Sequence, residues 1–180
     1  MIEQFYFLAA DLKRWECKSW KELFYLAFEQ GVWVTVLYRV SRAMYLVNVP
    51  VLKILLRLIG YLIYKFSETF LGASLKPGSD IGPGLYIGHT GLIRVHWDAK
   101  IGKNFSIGPG VFVAYKGLGD RGVPQIGDNV YLGVGAKILG GIKIGNNVRV
   151  GANAVVITDV PDGATAVGVP AKILPPKKTS

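Results

Sequence analysis

From Leu75 onward, every sixth residue is aliphatic, apart from one insertion and one loop. Aligned on that beat, Leu75, Ile81 and Ile87 come first, and after a two-residue insertion Val95, Ile101 and Ile107 follow. After a loop the series resumes at Ile126, Leu132, Ile138, Ile144, Val150 and Val156. The next residue is glycine at positions 82, 88, 102, 108, 127, 133, 145 and 151, and the fourth residue after each start is small or apolar, from Ser79 and Leu85 to Ala154 and Val160. A helix repeats every 3.6 residues and a strand every 2, so neither makes a beat of six. A short strand followed by a tight corner does. The aliphatic side chain then points into a narrow prism, glycine tolerates the corner, and three hexads close one coil. The sequence therefore predicts about four coils of parallel β-helix, stacked about 4.8 Å apart through ladder hydrogen bonds.

Glycine also divides the chain. Of 23 glycines, only Gly31 and Gly60 precede residue 71. The reading is a helical region over 1–70, a β-helix over 71–174 and a tail over 175–180 whose Lys177 and Lys178 are solvated. Charge is spread, nine basic against six acidic side chains in 1–70 and twelve against six in 71–180. An unclustered positive balance argues against nucleic acid as a partner. Cys17, the single cysteine, excludes a disulfide framework. With His89 and His96 the only histidines, a Cys/His zinc site is excluded too.

In the first seventy residues, long apolar side chains carry charges at three- and four-residue spacing, which predicts helices over about 20–30, 32–45 and 50–70. Pro50 suits a helix start. The last of these could span, lie on or avoid a membrane. A span needs about 20 apolar residues, and Lys53, Arg57 and Lys65 interrupt this one. Those three and Tyr61 share one face, and Leu55, Leu56, Ile59, Leu62 and Ile63 cover most of the rest. Two expectations stand: packing on the domain or a second subunit, or peripheral contact of residues 51–66 with an anionic membrane, helped by about 1 kcal/mol per basic residue. The start, Met1-Ile-Glu-Gln, lacks the basic region of a signal peptide, so the expectation is a cytoplasmic protein, free or held peripherally at the inner membrane face.

Three stretches, Ile81-Gly-Pro-Gly-Leu-Tyr-Ile-Gly-His-Thr-Gly91, Ile126-Gly-Asp-Asn-Val-Tyr-Leu-Gly-Val-Gly-Ala-Lys-Ile-Leu-Gly140 and Val167-Gly-Val-Pro-Ala-Lys-Ile173, resemble the hexapeptide-repeat acyltransferases, above all the serine O-acetyltransferase branch and its polysaccharide-cluster relatives. The likeness covers about residues 74–174 and implies a mostly β fold, a left-handed parallel β-helix with an α-helical N-terminal region, acting as a homotrimer on acetyl-CoA without a metal.

His89 sits just before the insertion at Ile93-Arg94, at a corner where a side chain leaves the prism. An imidazole there can take a proton at neutral pH, and the resemblance makes it the general base toward an acceptor hydroxyl. His96 is expected at the surface or in contact with the acceptor. The resemblance assigns the donor thioester's arm to Val134, Gly135, Ala136 and Ala152, with Lys172 near the CoA phosphates, a sensible charge pairing. The loop 114–125 interrupts the solenoid, and such interruptions often carry function; Tyr115, Lys116, Asp120 and Arg121 are expected to reach across a subunit boundary to the acceptor.

The sequence also departs from the serine enzymes. They carry an aspartate fifteen residues before the base, an aspartate directly before it and a histidine in the loop, where this chain has Ser74, Gly88 and Gly122. The expectation drawn from these departures is O-acetylation of a sugar hydroxyl in surface or exopolysaccharide biosynthesis. Serine is the alternative acceptor, and a non-catalytic trimeric scaffold is a third reading. A metal-dependent lyase like the γ-type carbonic anhydrases needs three histidines, and only two exist.

Overall fold

The structure, a computed structural model, describes residues 2–16, 19–117 and 119–176, and the backbone alone of Leu23. Cys17 and the tail residues Lys177 and Lys178 lie outside the described residues. Four helices open the chain: α1 (Ile2–Lys13), α2 (Trp20–Leu26), α3 (Gln30–Tyr45) and α4 (Pro50–Phe70). Then come β1 (Ala73–Leu75), β2 (Asp80–Ile81), β3 (Ile93–Val95), β4 (Lys100–Ile101), β5 (Ser106–Ile107), β6 (Phe112–Ala114) and β7 (Gln125–Ile126). The rest are β8 (Tyr131–Leu132), β9 (Lys137–Leu139), β10 (Lys143–Ile144), β11 (Arg149–Val150), β12 (Val155–Val156), β13 (Thr165–Val167) and β14 (Lys172–Leu174).

These strands wind a left-handed parallel β-helix with three sheets: β1-β3-β6-β9-β12, β2-β4-β7-β10, and β5-β8-β11-β13-β14. The register stacks the expected hexad starts on one another, Leu75 on Val95 and Ile81 on Ile101. It also adds one that the sequence reading passed over. Val113, fully buried and paired with Val95 and Ile138, is the hexad start directly before the loop. Val160 and Ala166 close a fifth coil, paired with Ile144 and Val150. At the corner between the second and third sheets, Asn104, Asn129 and Asn147 all have φ near +55°, a left-handed conformation that asparagine tolerates. Their side chains hydrogen-bond in a ladder, Nδ2 of Asn104 to Oδ1 of Asn129 at 2.9 Å and Nδ2 of Asn129 to Oδ1 of Asn147 at 3.1 Å.

α3 crosses the open end of the first coil. Its Val34 and Tyr38 enter the prism core, and the Tyr38 hydroxyl donates to the Ser79 carbonyl at 2.8 Å. Beside it Arg39, only 1% exposed, donates to both carboxylate oxygens of the fully buried Asp11 and to the carbonyls of Ile81 and Gly82. Asp11 in turn accepts from the backbone N–H groups of Gly84 and Leu85, each at 2.7 Å. One buried ion pair thus joins α1, α3 and the first coil. The sequence reading missed α1, because Asp11 looks like a break in an apolar run until its partner 28 residues away is in place.

α4 packs on α3 through Gly60, where a Cβ would lie 3.2 Å from the Ser41 carbonyl, and on β1 through Tyr64 and Ser67. Its opposite face is bare: Val51 is 86% and Ile54 74% exposed, with Leu55, Leu58 and Leu62 beside them. Among the described residues, no helix is long and apolar enough to cross a membrane.

Candidate active site

His89 stands exposed on the corner between the third and first sheets, two residues after the fully buried Ile87. The corner is anchored from the helical region. Gly31, in the first turn of α3, lies so close that a Cβ there would sit 1.7 Å from the Ile87 carbonyl oxygen, and Thr90 Oγ1 donates to Gln30 Oε1 at 2.6 Å. α3 therefore begins at Gln30 rather than at the expected Val32 and takes a glycine inside its first turn. The corner then bends through Gly91 and Leu92, whose φ of +52° is unusual for a leucine and costs about 1–3 kcal/mol. Neither Thr90 nor Gln30 was legible as part of the site; the close approach of α3 is a long-range contact without a local signature.

Below His89 the same corner repeats coil by coil. The N–H groups of Gly110, Gly135 and Asn153 donate to the carbonyls of Gly91, Pro109 and Val134 at 2.7, 2.8 and 2.8 Å. Val134, Gly135 and Ala152 lie along this edge, with Val134 and Ala152 exposed. Ala136 does not, because its side chain is fully buried in the prism, where the repeat places the fourth residue of a hexad. Lys172 ends the edge on β14, exposed and paired in register with Val167. Four coil steps separate His89 from that turn, about 19 Å at 4.8 Å per coil. A strip of small side chains this long suits an extended chain lying on backbone.

The expected acceptor residues gather elsewhere. His96, Tyr115, Asp120 and Arg121 line one cleft of about 370 Å³ together with Asp98. The His96 ring meets Tyr115 edge-on at 5.6 Å, and its Nδ1 accepts from the Asp98 N–H at 3.2 Å, which leaves Nε2–H as the donor of the neutral ring. Lys116 is not part of this lining; its aliphatic chain runs beside Gly140. Asp120 Oδ1 accepts from Gly122 N at 3.0 Å. This cleft follows β3 whereas His89 precedes it, so one protomer holds the two groups at opposite ends of the same sheet face. Among the described residues, none is placed with two others to hold a metal ion.

The three departures have local reasons. A Cβ on Gly122 would lie 2.6 Å from the Gly141 Cα, so this path of the loop requires glycine. One on Gly88 would press within 3.3 Å of the Tyr86 ring. Ser74 is buried under α4, its Oγ 2.9 Å from the Tyr64 hydroxyl.

Residues 124–158 match the family model described as bacterial transferase hexapeptide (six repeats). A serine acetyltransferase of Staphylococcus aureus is 42% identical over 114 residues, 62% of this chain and 53% of that protein. The chain thus matches about half the length of the curated relatives. Among solved structures, the serine acetyltransferase of Neisseria gonorrhoeae in complex with serine superposes with a TM-score of 0.82 at 32% identity, over 96% of this chain and 69% of that one. A serine acetyltransferase in complex with CoA gives a TM-score of 0.69 at 28% identity, over 81% and 57%. These relatives overturn the expectation of a sugar acceptor and of a place in polysaccharide biosynthesis, since they are serine acetyltransferases and the departures that suggested a sugar are met by local packing. The chain belongs to the serine O-acetyltransferase branch of the hexapeptide-repeat acyltransferases.

Proposed function

We propose that this protein is an acetyl-CoA-dependent serine O-acetyltransferase with His89 as general base. The observation that carries the reading is the edge of small residues, Val134, Gly135 and Ala152, that runs from Lys172 to a single exposed imidazole. The pantetheine arm lies along this edge with the CoA phosphates toward Lys172, which brings the thioester to His89. Nε2 of His89 takes the proton of the serine hydroxyl as its oxygen attacks the thioester carbonyl. The tetrahedral intermediate collapses to the O-acetyl ester, expelling the CoA thiolate, and the imidazolium returns the proton to that sulfur. A base so placed contributes about 10²–10⁴ in rate.

The test is thiol release from acetyl-CoA with L-serine. Turnover that falls by about 10²–10⁴ in His89→Ala supports the assignment; an active variant removes His89 as base, and no turnover with serine removes the acceptor.

We also infer a homotrimer, in which the cleft of His96, Tyr115, Asp120 and Arg121 from one protomer faces His89 of the next. The observation behind it is their separation within one chain. Mixing inactive His89→Ala with inactive Arg121→Ala protomers regains part of the activity if the site is shared, and none if it is not. The exposed apolar face of α4, with Lys53, Arg57 and Lys65 to one side, supports peripheral contact of residues 51–66 with an anionic membrane in a cytoplasmic protein. Flotation with anionic liposomes that is unchanged in Lys53→Glu/Arg57→Glu returns this face to subunit packing.

A further inference from the structure

A polar cluster that the mechanism above does not use lies between α4 and β1. Tyr64 is 5% exposed, and its hydroxyl lies 2.9 Å from Ser74 Oγ and donates to Glu68 Oε1 at 3.0 Å. Lys65 Nζ donates to Glu68 Oε2 at 2.6 Å. The Glu68 carboxylate is thus gripped by two donors while 22% of its side chain stays open. The Lys65 hydrogen bond, more than any other neighbour, holds this carboxyl below the usual carboxylate range, so it is an anion at neutral pH.

The direction of α4 carries its last turn, and Glu68 with it, toward the His89 end of the first sheet. Tyr64 lies against Ser74 and Ser67 against Ala73, whose carbonyl accepts from Ser67 Oγ at 3.1 Å, so the helix runs back along β1 toward Gly72. Gly72 is packed on the His89 corner. A Cβ on it would lie 3.3 Å from the Gly91 Cα, and its carbonyl accepts from Ile93 N at 3.1 Å. Glu68 is one helical turn beyond Tyr64 in that direction.

A base of this kind needs its second nitrogen held, so that the ring keeps one tautomer and the imidazolium is stabilised as it forms. Among the described residues His89 has no hydrogen-bond partner, and the strand position beneath α4 carries the hydroxyl of Ser74 rather than a carboxylate. We infer that Glu68 is the positioning carboxylate of His89, supplied from helix α4 and aimed by Tyr64 and Lys65. In the working site it accepts Nδ1–H, Nε2 exchanges the substrate proton, and Glu68 stays ionised throughout. The inference rests on His89 being the base. The competing carboxylate is Glu29, exposed beside Gln30 at the start of α3.

The experiment measures kcat, KM and melting temperature for variants of the full chain. Glu68→Gln, which keeps the size of the side chain, is expected to lower kcat on the order of 10²-fold, within the range of acid–base assistance. KM for serine and for acetyl-CoA should stay within about twofold, a split that loss of fold would not give. Glu68→Asp, which withdraws the charge without removing it, is expected to lose less. Adding Ser74→Asp to Glu68→Gln restores a carboxylate beneath α4 and is expected to recover at least a tenth of the kcat, on the order of a tenfold gain. Glu29→Gln should leave kcat unchanged. Wild-type kcat in Glu68→Gln overturns the inference. So does a loss confined to KM or to melting temperature without rescue by Ser74→Asp, or a loss that appears in Glu29→Gln in its place. An active His89→Ala instead defeats the base itself, so the two failures are distinct.

Discussion

The β-helix and the helical layer above it are held together in opposite ways. In the β-helix every coil contributes the same inward aliphatic residues, and neighbouring coils share continuous backbone ladders. In the helical layer, by contrast, the described apolar residues that become buried are Val32, Val34, Tyr38, Ala43 and Tyr64, and large side chains such as Trp20, Phe24 and Val51 stay exposed. Its attachment depends on directional contacts instead: Arg39 with Asp11, Arg42 with the carbonyls of Pro77 and Gly78, and Tyr38 with Ser79. Stability in a solenoid is close to a sum over repeats and their interfaces. A layer held by a few directional contacts around one buried charge pair has no such redundancy.

That contrast predicts where damage stays local. The largest effect is expected from Asp11→Ala, which strands the Arg39 guanidinium away from water and should cost about 3–5 kcal/mol. Chemical denaturation should show the helices released before the β-helix unfolds; a single unshifted transition would break the contrast. Next comes Ile138→Ala in the fourth coil. It removes a fully buried side chain, with an expected cost of about 2–5 kcal/mol, and the helical signal in circular dichroism should melt together with the β-helix because the layer has no other support. Asn129→Ala should cost about 1–2 kcal/mol, since alanine tolerates the left-handed corner poorly, and the loss should be similar at Asn104 and Asn147 if repeats are equivalent. The smallest effect belongs to Ile54→Ser on the bare face of α4. It should shift stability by no more than about 0.5 kcal/mol in a dilute sample; a larger loss would mean that this face is covered in solution.

Legibility in the sequence follows the same division. A period of six needs no partner to be read, so the prism, its corners and its inward residues were visible one hexad at a time. Val113 escaped because the loop that follows it breaks the beat, and the starts Val160 and Ala166 of the fifth coil escaped because they fall off the six-residue step after Val156. α4 was also read to its ends, since Pro50 starts it and Gly72 follows its last turn. α1 was not, and neither was the extra length of α3, because Asp11 and Gly31 make sense only against Arg39 and the Ile87 carbonyl. The site shows the same limit. His89 and the small residues of the edge stand in motifs, whereas Gln30 reaches the corner, at Thr90, from a helix some 60 residues away in the chain. The acceptor was misread for a related reason: single positions at 74, 88 and 122 were given chemical weight, although their packing partners, Tyr64, Tyr86 and Gly141, account for them.

A stack of parallel coils ends in strands whose unpaired N–H and C=O groups can template another molecule. Here α3 covers one end of the prism. At the other, β14 turns back antiparallel along β13, matching Thr165 with Leu174, Ala166 with Ile173 and Val167 with Lys172. A strand of reversed direction does not continue the parallel winding, so on the third sheet the last coil offers no parallel edge. The turn that leads into β14 therefore also closes one of the three ladders to end-to-end stacking of a second prism.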